Sequence, residues 1–183
     1  MRLVDDTPYY MVYVDGSCLD NHQQVDEDSR AAWGFVVVTG DSGLGKGSGE
    51  LFHESAGLVI TDPSEHLFIG AELGTNNTAE LSSFAAALRW LITEGGCQPA
   101  CIRTDSQYAG HLATGEWKAK ANRDLVAHVQ SLWNEVSALR PLRWEHVRAH
   151  RGHRWNERAD HIASRCAAGE LPDPLTFWKP GRR

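Results

Sequence analysis

Two aspartates follow stretches of strand length, at positions where their carboxylates could meet. Asp15 comes after the run Tyr-Tyr-Met-Val-Tyr-Val, and Asp105 comes after Ala-Cys-Ile-Arg-Thr. Both runs have the β-branched, aromatic or apolar content of a strand. If the two strands are neighbours in a sheet, the carboxylates lie close together, which is unfavourable unless they share a cation or a proton. Each aspartate taken alone is more often a surface turn residue.

Two further acids lie on predicted helices. Glu80 falls in the first turn of a long helix, on the same face as Leu91, so it should point towards the sheet. A first-turn glutamate can also serve only as a partner of the helix dipole. Asp160 lies inside the last predicted helix among small residues, and a surface salt bridge to Arg158 or Arg165 is the alternative explanation for it.

Taken together, the four acids offer hard oxygen ligands, with few histidines placed to compete. Such a ligand set suits Mg²⁺ or Mn²⁺ and suits Zn²⁺ poorly. Two Mg²⁺ ions about 4 Å apart can activate a water on one side of a phosphodiester and stabilise the departing oxygen on the other. The residues alone therefore predict metal-assisted phosphoryl transfer.

The elements that must position these acids alternate between strands and helices. The predicted strands are Tyr9–Val14, Ala31–Thr39, Glu50–Ile60, Ala100–Thr104 and Pro141–Val147. The predicted helices are one with Asn76 or Asn77 as its N-cap, which stops at Gly95-Gly96, then Ser106–Ala113, Asn122–Leu139 and Trp155–Ala168. Three strands, a helix, a strand, two helices, a strand and a helix imply a mixed sheet covered by helices.

Three segments are less regular. Residues Leu19–Arg30 are polar and predict a loop, and Thr61–Thr75 is either a packed loop or contains a short strand at Leu67-Phe68-Ile69. The Pro-rich tail Leu171–Arg183 is predicted to be irregular, with Trp178 docking back onto the domain. We therefore expect one domain over residues 1–170 and a tail over residues 171–183.

Composition narrows the classes of function without deciding between them. The net charge of -6 argues against a nucleic-acid partner, but from Arg140 onward ten Lys and Arg stand against five Asp and Glu. This local excess of positive charge permits a polyanionic partner. No apolar run reaches membrane-spanning length, the amino terminus does not read as a targeting signal, and four scattered cysteines read as free thiols. We expect a cytoplasmic protein that does not engage a membrane.

Four segments resemble the signature motifs of type 1 ribonuclease H, in that family's order. They are Tyr-Val-Asp-Gly-Ser-Cys (13–18), Thr-Asn-Asn-Thr-Ala-Glu-Leu (75–81), Thr-Asp-Ser-Gln-Tyr (104–108) and His-Arg-Gly-His-Arg-Trp-Asn-Glu-Arg-Ala-Asp (150–160). The resemblance implies a five-stranded mixed sheet, an antiparallel meander plus parallel strands, flanked by helices. It also implies a monomeric enzyme that cuts the RNA strand of RNA–DNA hybrids with two Mg²⁺ ions, leaving 5′-phosphate and 3′-hydroxyl ends.

The resemblance further implies a role for each acid. Asp15 bridges both ions, Asp160 helps to hold the ion that activates water, and Glu80 and Asp105 hold the ion facing the leaving 3′-oxygen. His150 matches the family's mobile histidine, which could move a proton or help to release product.

The same resemblance implies contacts with the hybrid. Cys18, Asn76, Asn77 and Gln107 are placed along the minor groove, and Gly16, Ser17 and Ser106 are further substrate-binding residues. Thr75 and Asn122 match positions that seat a DNA-strand phosphate. Helix capping is the alternative role for Asn76, Asn77 and Asn122.

The chain also departs from the family's pattern. Many relatives carry a basic, Trp-rich protrusion, whereas Gly115–Lys120 is short and contains two lysines, and the connection from Ile60 to Thr75 is long. We therefore expect weak binding of the hybrid. Two other functions stay open, a nuclease or strand-transfer enzyme of the same fold and a hybrid-binding domain without catalysis. Loss of a carboxylate would favour the non-catalytic domain, and none is lost.

Overall fold

Five strands form one mixed sheet in the computed structural model, which describes residues 8–19 and 29–181. The strands are β1 (Tyr10–Cys18), β2 (Ala31–Thr39), β3 (Glu50–Leu58), β4 (Ala100–Thr104) and β5 (Leu142–His146). Their order across the sheet is β3-β2-β1-β4-β5. β1 pairs antiparallel with β2, and β2 with β3, while β1 with β4 and β4 with β5 are parallel. The predicted fold class is confirmed.

Four helices cover the two faces of this sheet. They are α1 (Asn76–Thr93), α2 (Gln107–Ala113), α3 (Arg123–Leu139) and α4 (Arg154–Ala168). Alternate residues of β1 point to opposite faces. Val12 and Val14 join a core that includes residues of α1, α2 and α3, whereas Met11 and Tyr13 pack with Trp155 of α4. Because β1 is central and buried on both faces, the acid that it carries sits in the middle of the molecule.

β1 extends beyond its predicted end at Val14. Its antiparallel pairing with β2 continues to Cys18, but its parallel pairing with β4 ends at Tyr13. Asp15 therefore lies inside a strand, at the place where β1 has lost its neighbour on the β4 side. This loss of pairing opens the space in which the side chain meets other acids.

The start of α1 also differs from the prediction. Thr75, and neither asparagine, is the N-cap, because its hydroxyl accepts from the Thr78 backbone N–H while the Thr78 hydroxyl accepts from the Thr75 N–H. This capping box satisfies two groups at the helix end. The helix therefore begins at Asn76, and Glu80 lies in its second turn, so the first-turn dipole explanation for Glu80 is wrong.

The two long irregular segments pack onto the domain. Residues 61–74 contain no strand; Ile69 packs against the core, so the packed loop was the right alternative. Trp178 in the tail is 4% exposed and lies under the guanidinium of Arg158, 5.4 Å from the ring centroid. Most of the predicted loop 19–30 lies outside the described residues. No helix in the described parts of the chain is both long and apolar enough to cross a bilayer.

Candidate catalytic and metal centre

Three carboxylates from three different elements converge at one end of β1. Asp15 of β1, Glu80 of α1 and Asp105, which follows β4, each offer an oxygen within 4.8 Å of the others. Gly16 makes this convergence possible, since a Cβ there would lie 2.5 Å from Ala79 C and Glu80 N of the α1 backbone. The glycine beside the first acid thus lets the helix carrying the second acid approach the strand.

Burial and mutual repulsion govern the chemistry of this group. Asp15 and Glu80 are 5% and 7% exposed. Burial, followed by repulsion from Glu80 and Asp105, raises the pKa of Asp15 well above its ordinary value. Burial and the charge of Asp105 raise the pKa of Glu80 to about 8. Glu80 Oε2 is buried and has no hydrogen-bond partner among the residues that the structure describes. Such a group is stabilised by a proton or a cation.

Asp105 is fixed from α4. Its Oδ2 accepts from Asn156 Nδ2 at 3.4 Å, and its backbone carbonyl lies 3.2 Å from His146 Nε2. Burial raises the pKa of Asp105, and the hydrogen bond from Asn156 opposes that rise. Asn156 therefore orients one of the clustered acids, a role that helical spacing in the sequence did not reveal.

Asp160 faces the cluster but does not join it within the same distance. Its charge raises the pKa of each of the three clustered acids. The Ser164 hydroxyl lies 3.3 Å from Asp160 Oδ1 and 3.1 Å from Ser17 Oγ. The alternative salt bridges are wrong, because Arg158 pairs with Glu54 and Arg165 pairs with Glu170 and Asp173.

Two histidines precede α4 and differ in role. His150 is exposed and has a positive φ of 52°, which is uncommon outside glycine. The charge of His150 opposes the rise in the pKa of Asp105, which indicates that His150 lies near the cluster. His153 is buried and caps α4 by accepting from the Asn156 N–H at 3.4 Å. His153 is thus structural, and His150 is free to face the site.

Some of the residues expected to contact the hybrid are exposed, and others already form hydrogen bonds within the protein. Asn76 and Asn77 are exposed at the start of α1 and do not cap it, and Gln107 is exposed at the start of α2. Ser106 caps α2 by accepting from the Ala109 N–H at 3.1 Å. The Cys18 side chain is buried, and its thiol donates to the Gly74 carbonyl at 3.3 Å.

Asn122 stands at the N-cap position of α3 without capping it. It adopts a left-handed conformation with φ of 54°, and its side chain makes no capping hydrogen bond. Together with Asn77, Trp117 and Lys120 it lines a pocket of about 650 Å³. The capping alternative is therefore wrong for Asn122, whose side chain stays available to a ligand in this pocket.

A buried polar network behind the site was missed by the sequence analysis. The Tyr13 hydroxyl donates to Asp41, receives from Arg103 Nη1 at 3.1 Å and lies 3.5 Å from His153 Nε2. Burial and the Asp41 contact raise the pKa of Tyr13. These residues come from distant parts of the sequence, so no local pattern joins them.

Comparison with known proteins places the chain in a family. The RNase H profile matches residues 7–168. A ribonuclease H from Thermosynechococcus vestitus is 32% identical over 182 residues, covering 90% of this chain and 96% of that protein. A ribonuclease H from a Cyanothece species is 30% identical over 173 residues, covering 88% of this chain and 91% of that protein.

Solved structures agree on the fold. RNase H1 from the archaeon Halobacterium salinarum has a TM-score of 0.62 at 23% identity, covering 87% of this chain and 98% of that one. LC11-RNase H1, solved in complex with an RNA/DNA hybrid, has a TM-score of 0.56 at 21% identity, covering 82% and 91%. Relatives matched along nearly their whole length, together with the profile match, show that the chain belongs to the ribonuclease H family of nucleases.

Proposed function

We propose that this protein hydrolyses the RNA strand of RNA–DNA hybrids as a metal-dependent endonuclease, leaving 5′-phosphate and 3′-hydroxyl ends. One observation carries the proposal: three carboxylates from separate elements, two of them buried, lie within 4.8 Å of one another, with Asp160 beside them, in a chain of the ribonuclease H family. We assign catalysis to residues 1–170 and regard residues 171–183 as a tail.

The side chains of the centre fit Mg²⁺, with Mn²⁺ as a substitute. Hard oxygen donors come from Asp15, Glu80, Asp105 and Asp160. Glu80 Oε2, which has no hydrogen-bond partner among the described residues, is suited to bind a cation. Two bound Mg²⁺ ions would supply Lewis acidity and a water of lowered pKa. The protein contributes by holding mutually repelling carboxylates in place before any substrate arrives. Asn156 keeps the Asp105 carboxylate oriented.

His150 is proposed to assist the reaction from the edge of the site. It is exposed to solvent in the loop between β5 and α4. Its electrostatic effect on Asp105 indicates that it lies near the reacting groups. An imidazole nitrogen at this position can accept or release a proton. Removal of His150 should therefore slow turnover without eliminating it.

Recognition of the hybrid is proposed to use the N-terminal ends of α1 and α2, which lie nearest the site. Asn76, Asn77 and Gln107 are exposed there and carry the donors and acceptors that can read 2′-hydroxyls, the groups that separate RNA from DNA. Cys18 is assigned to the minor groove with them, and Gly16, Ser17 and Ser106 are assigned to substrate binding beside the acids. Thr75 and Asn122 are assigned to a phosphate of the DNA strand, supported for Asn122 by its free side chain.

A reducing, cytoplasmic setting and a monomeric state belong to the same proposal. All four cysteines are free, which is typical of proteins from reducing compartments. Light scattering of the purified protein with and without hybrid tests the monomeric state directly.

The proposal is tested by incubating the protein with labelled hybrid, duplex RNA, duplex DNA and each single strand, in Mg²⁺ or in EDTA. We expect cleavage of the RNA strand of the hybrid alone, and only in Mg²⁺. Cleavage of duplex DNA would favour another nuclease or strand-transfer enzyme of the same fold. Hybrid binding without cleavage in either Mg²⁺ or Mn²⁺ would indicate a non-catalytic hybrid-binding domain.

A further inference from the structure

Two loops on the α4 side of the site are locked together. The first is the glycine-rich turn Gly40–Gly49 between β2 and β3, and the second is the His150 loop, Val147–His153. Lys46 joins the first loop to the second, because its ammonium donates to the Arg151 carbonyl, and to the start of α4, because its carbonyl accepts from the Arg154 N–H at 2.7 Å. We call these two segments the paired loops.

The glycine-rich turn is itself anchored in the protein. Buried Asp41 accepts hydrogen bonds from the Tyr13 hydroxyl, from the Gly43 N–H at 3.0 Å and from Ser48 Oγ at 3.0 Å. Trp155 Nε1 donates to the Ser48 carbonyl at 2.7 Å. The turn is therefore held to β1 and to α4, so the surface that the paired loops present is set before any ligand binds.

That surface is rich in exposed positive charge that no carboxylate neutralises among the described residues. The exposed cations are Lys46, Arg148, Arg151 and Arg154. Within residues 8–19 and 29–181 none of them forms an ion pair, whereas Arg103, Arg158 and Arg165 all do. The nearby Glu157 instead accepts from the backbone N–H groups of Gly152 and Gly181. Four unpaired cations in a chain of net charge -6 form a local positive patch.

The patch borders the catalytic centre. Arg148 and Arg151 flank His150 in sequence, and the charge of His150 acts on Asp105. The pocket that contains Lys118 and Lys120 lies with α2 and the start of α3, which cover the other face of the sheet. A nucleic acid that places a phosphate over the carboxylates would therefore meet cations on both sides of the cut.

We propose that Lys46, Arg148, Arg151 and Arg154 form a second phosphate-binding surface, which holds the backbone of the substrate on the α4 side of the cleavage site. The proposal rests on the proposed function, since the polyanion it names is the hybrid. The proposal gives the glycine-rich turn a function. The turn supplies Lys46, and it supports the His150 loop and the start of α4, which carry the other cations. It also explains how a chain with a short basic segment at Gly115–Lys120 could retain its substrate.

The test is equilibrium binding of a fluorescent hybrid to the Asp105→Asn protein, which separates binding from cleavage, measured across a salt series in Mg²⁺. Into this protein we place Arg148→Gln with Arg151→Gln. Each lost phosphate contact should reduce the slope of log affinity against log salt by about one. We expect the slope to fall by about two and the affinity at 0.1 M salt to fall by roughly five- to tenfold per contact. A separate Lys46→Gln variant should lower the slope by about one.

The matched control is Arg89→Gln, which removes the same single charge as Lys46→Gln from an exposed position away from the site. Arg89 lies twelve residues beyond Asn77 on α1, about 18 Å along the helix axis. The control should leave the slope unchanged. Slopes for the Lys46→Gln protein and for the Arg148→Gln, Arg151→Gln protein that equal the slope of the control, each with a native melting temperature, would overturn the proposal. Hybrid cleavage by the wild-type protein, measured separately, tells that failure apart from a failure of the proposed function.

Discussion

Replacing Glu80 by glutamine should stabilise the metal-free protein while removing its activity. Glu80 is buried, its Oε2 has no hydrogen-bond partner in the described part of the chain, and burial with the charge of Asp105 raises its pKa from 4.5 to about 8. The folded state therefore holds a proton that the unfolded chain has released. Stability from this group is complete below pH 4.5 and is lost as the pH rises towards 8. A glutamine is neutral throughout and avoids that loss.

The size of the effect follows from the same shift. Each unit of pKa corresponds to 1.36 kcal/mol, so at pH 7 the cost of keeping Glu80 protonated is at most about 3 kcal/mol. Asp15 and Asp105 share the repulsion and relax in part when Glu80 is neutral. We therefore expect Glu80→Gln to raise the free energy of unfolding by about 1 to 3 kcal/mol at pH 7 in EDTA. The gain should disappear near pH 4.5.

The assay is urea or thermal denaturation in EDTA at several pH values between 4.5 and 8.5. For a chain of this size, 1 kcal/mol corresponds to roughly 2 to 4 °C in melting temperature. Glu135→Gln, on the exposed side of α3, is the control and should change neither stability nor its pH dependence. Mg²⁺ should stabilise the wild type more than the variant, because it binds the folded state. A Glu80→Gln protein that is no more stable than wild type at pH 7 in EDTA would refute this reasoning.

Three further predictions concern turnover, binding and stability. His150→Ala should reduce kcat without abolishing it, and the reduction should shrink in single-turnover assays if product release is its role; complete loss with an intact fold would contradict this. Lys118→Ala with Lys120→Ala should raise KM and leave kcat nearly unchanged, because these contacts hold substrate and transition state alike. An unchanged KM would show that other residues bind the hybrid. Arg158→Ala should destabilise the protein by about 3 to 5 kcal/mol in urea denaturation, because it leaves Glu54 without its partner; a loss below about 1 kcal/mol would show that the pair is dispensable.

The sequence located the elements well because their patterns are local. β2 and β4 have the predicted bounds, since β-branched and apolar runs there end at clear turn residues. The start of α1 was placed wrongly because Thr75, Asn76 and Asn77 are all good capping residues. Reciprocal hydrogen bonds with Thr78 decide for Thr75. Such a choice depends on geometry that residue preference alone does not contain.

The candidate site was partly predictable. Motif resemblance pointed to all four acids, and the structure brings Asp15, Glu80 and Asp105 together. Asp160 keeps its place beside them because its two candidate partners on α4 are used elsewhere, one of them by Glu54 across the fold. That contact spans 104 positions of sequence.

The network behind the site could not have been predicted by the same means. Tyr13 reads as one more aromatic residue of a buried strand, and Asp41 as a residue of a glycine-rich turn. Their hydrogen bond forms only because the turn folds back over the α4 face of the sheet. Contacts of this kind follow from tertiary packing, and the spacing of residues in the sequence does not predict them.

The central claim is that four carboxylates form the metal centre of a hybrid-specific nuclease, and one measurement tests it most directly. Wild-type and Asp105→Asn proteins are incubated in Mg²⁺ with a hybrid labelled on its RNA strand, and binding and product ends are recorded together. The account predicts that wild type leaves 5′-phosphate and 3′-hydroxyl ends, while Asp105→Asn binds the hybrid as well but does not cut it. An Asp105→Asn protein that keeps about a tenth or more of wild-type activity would contradict the account.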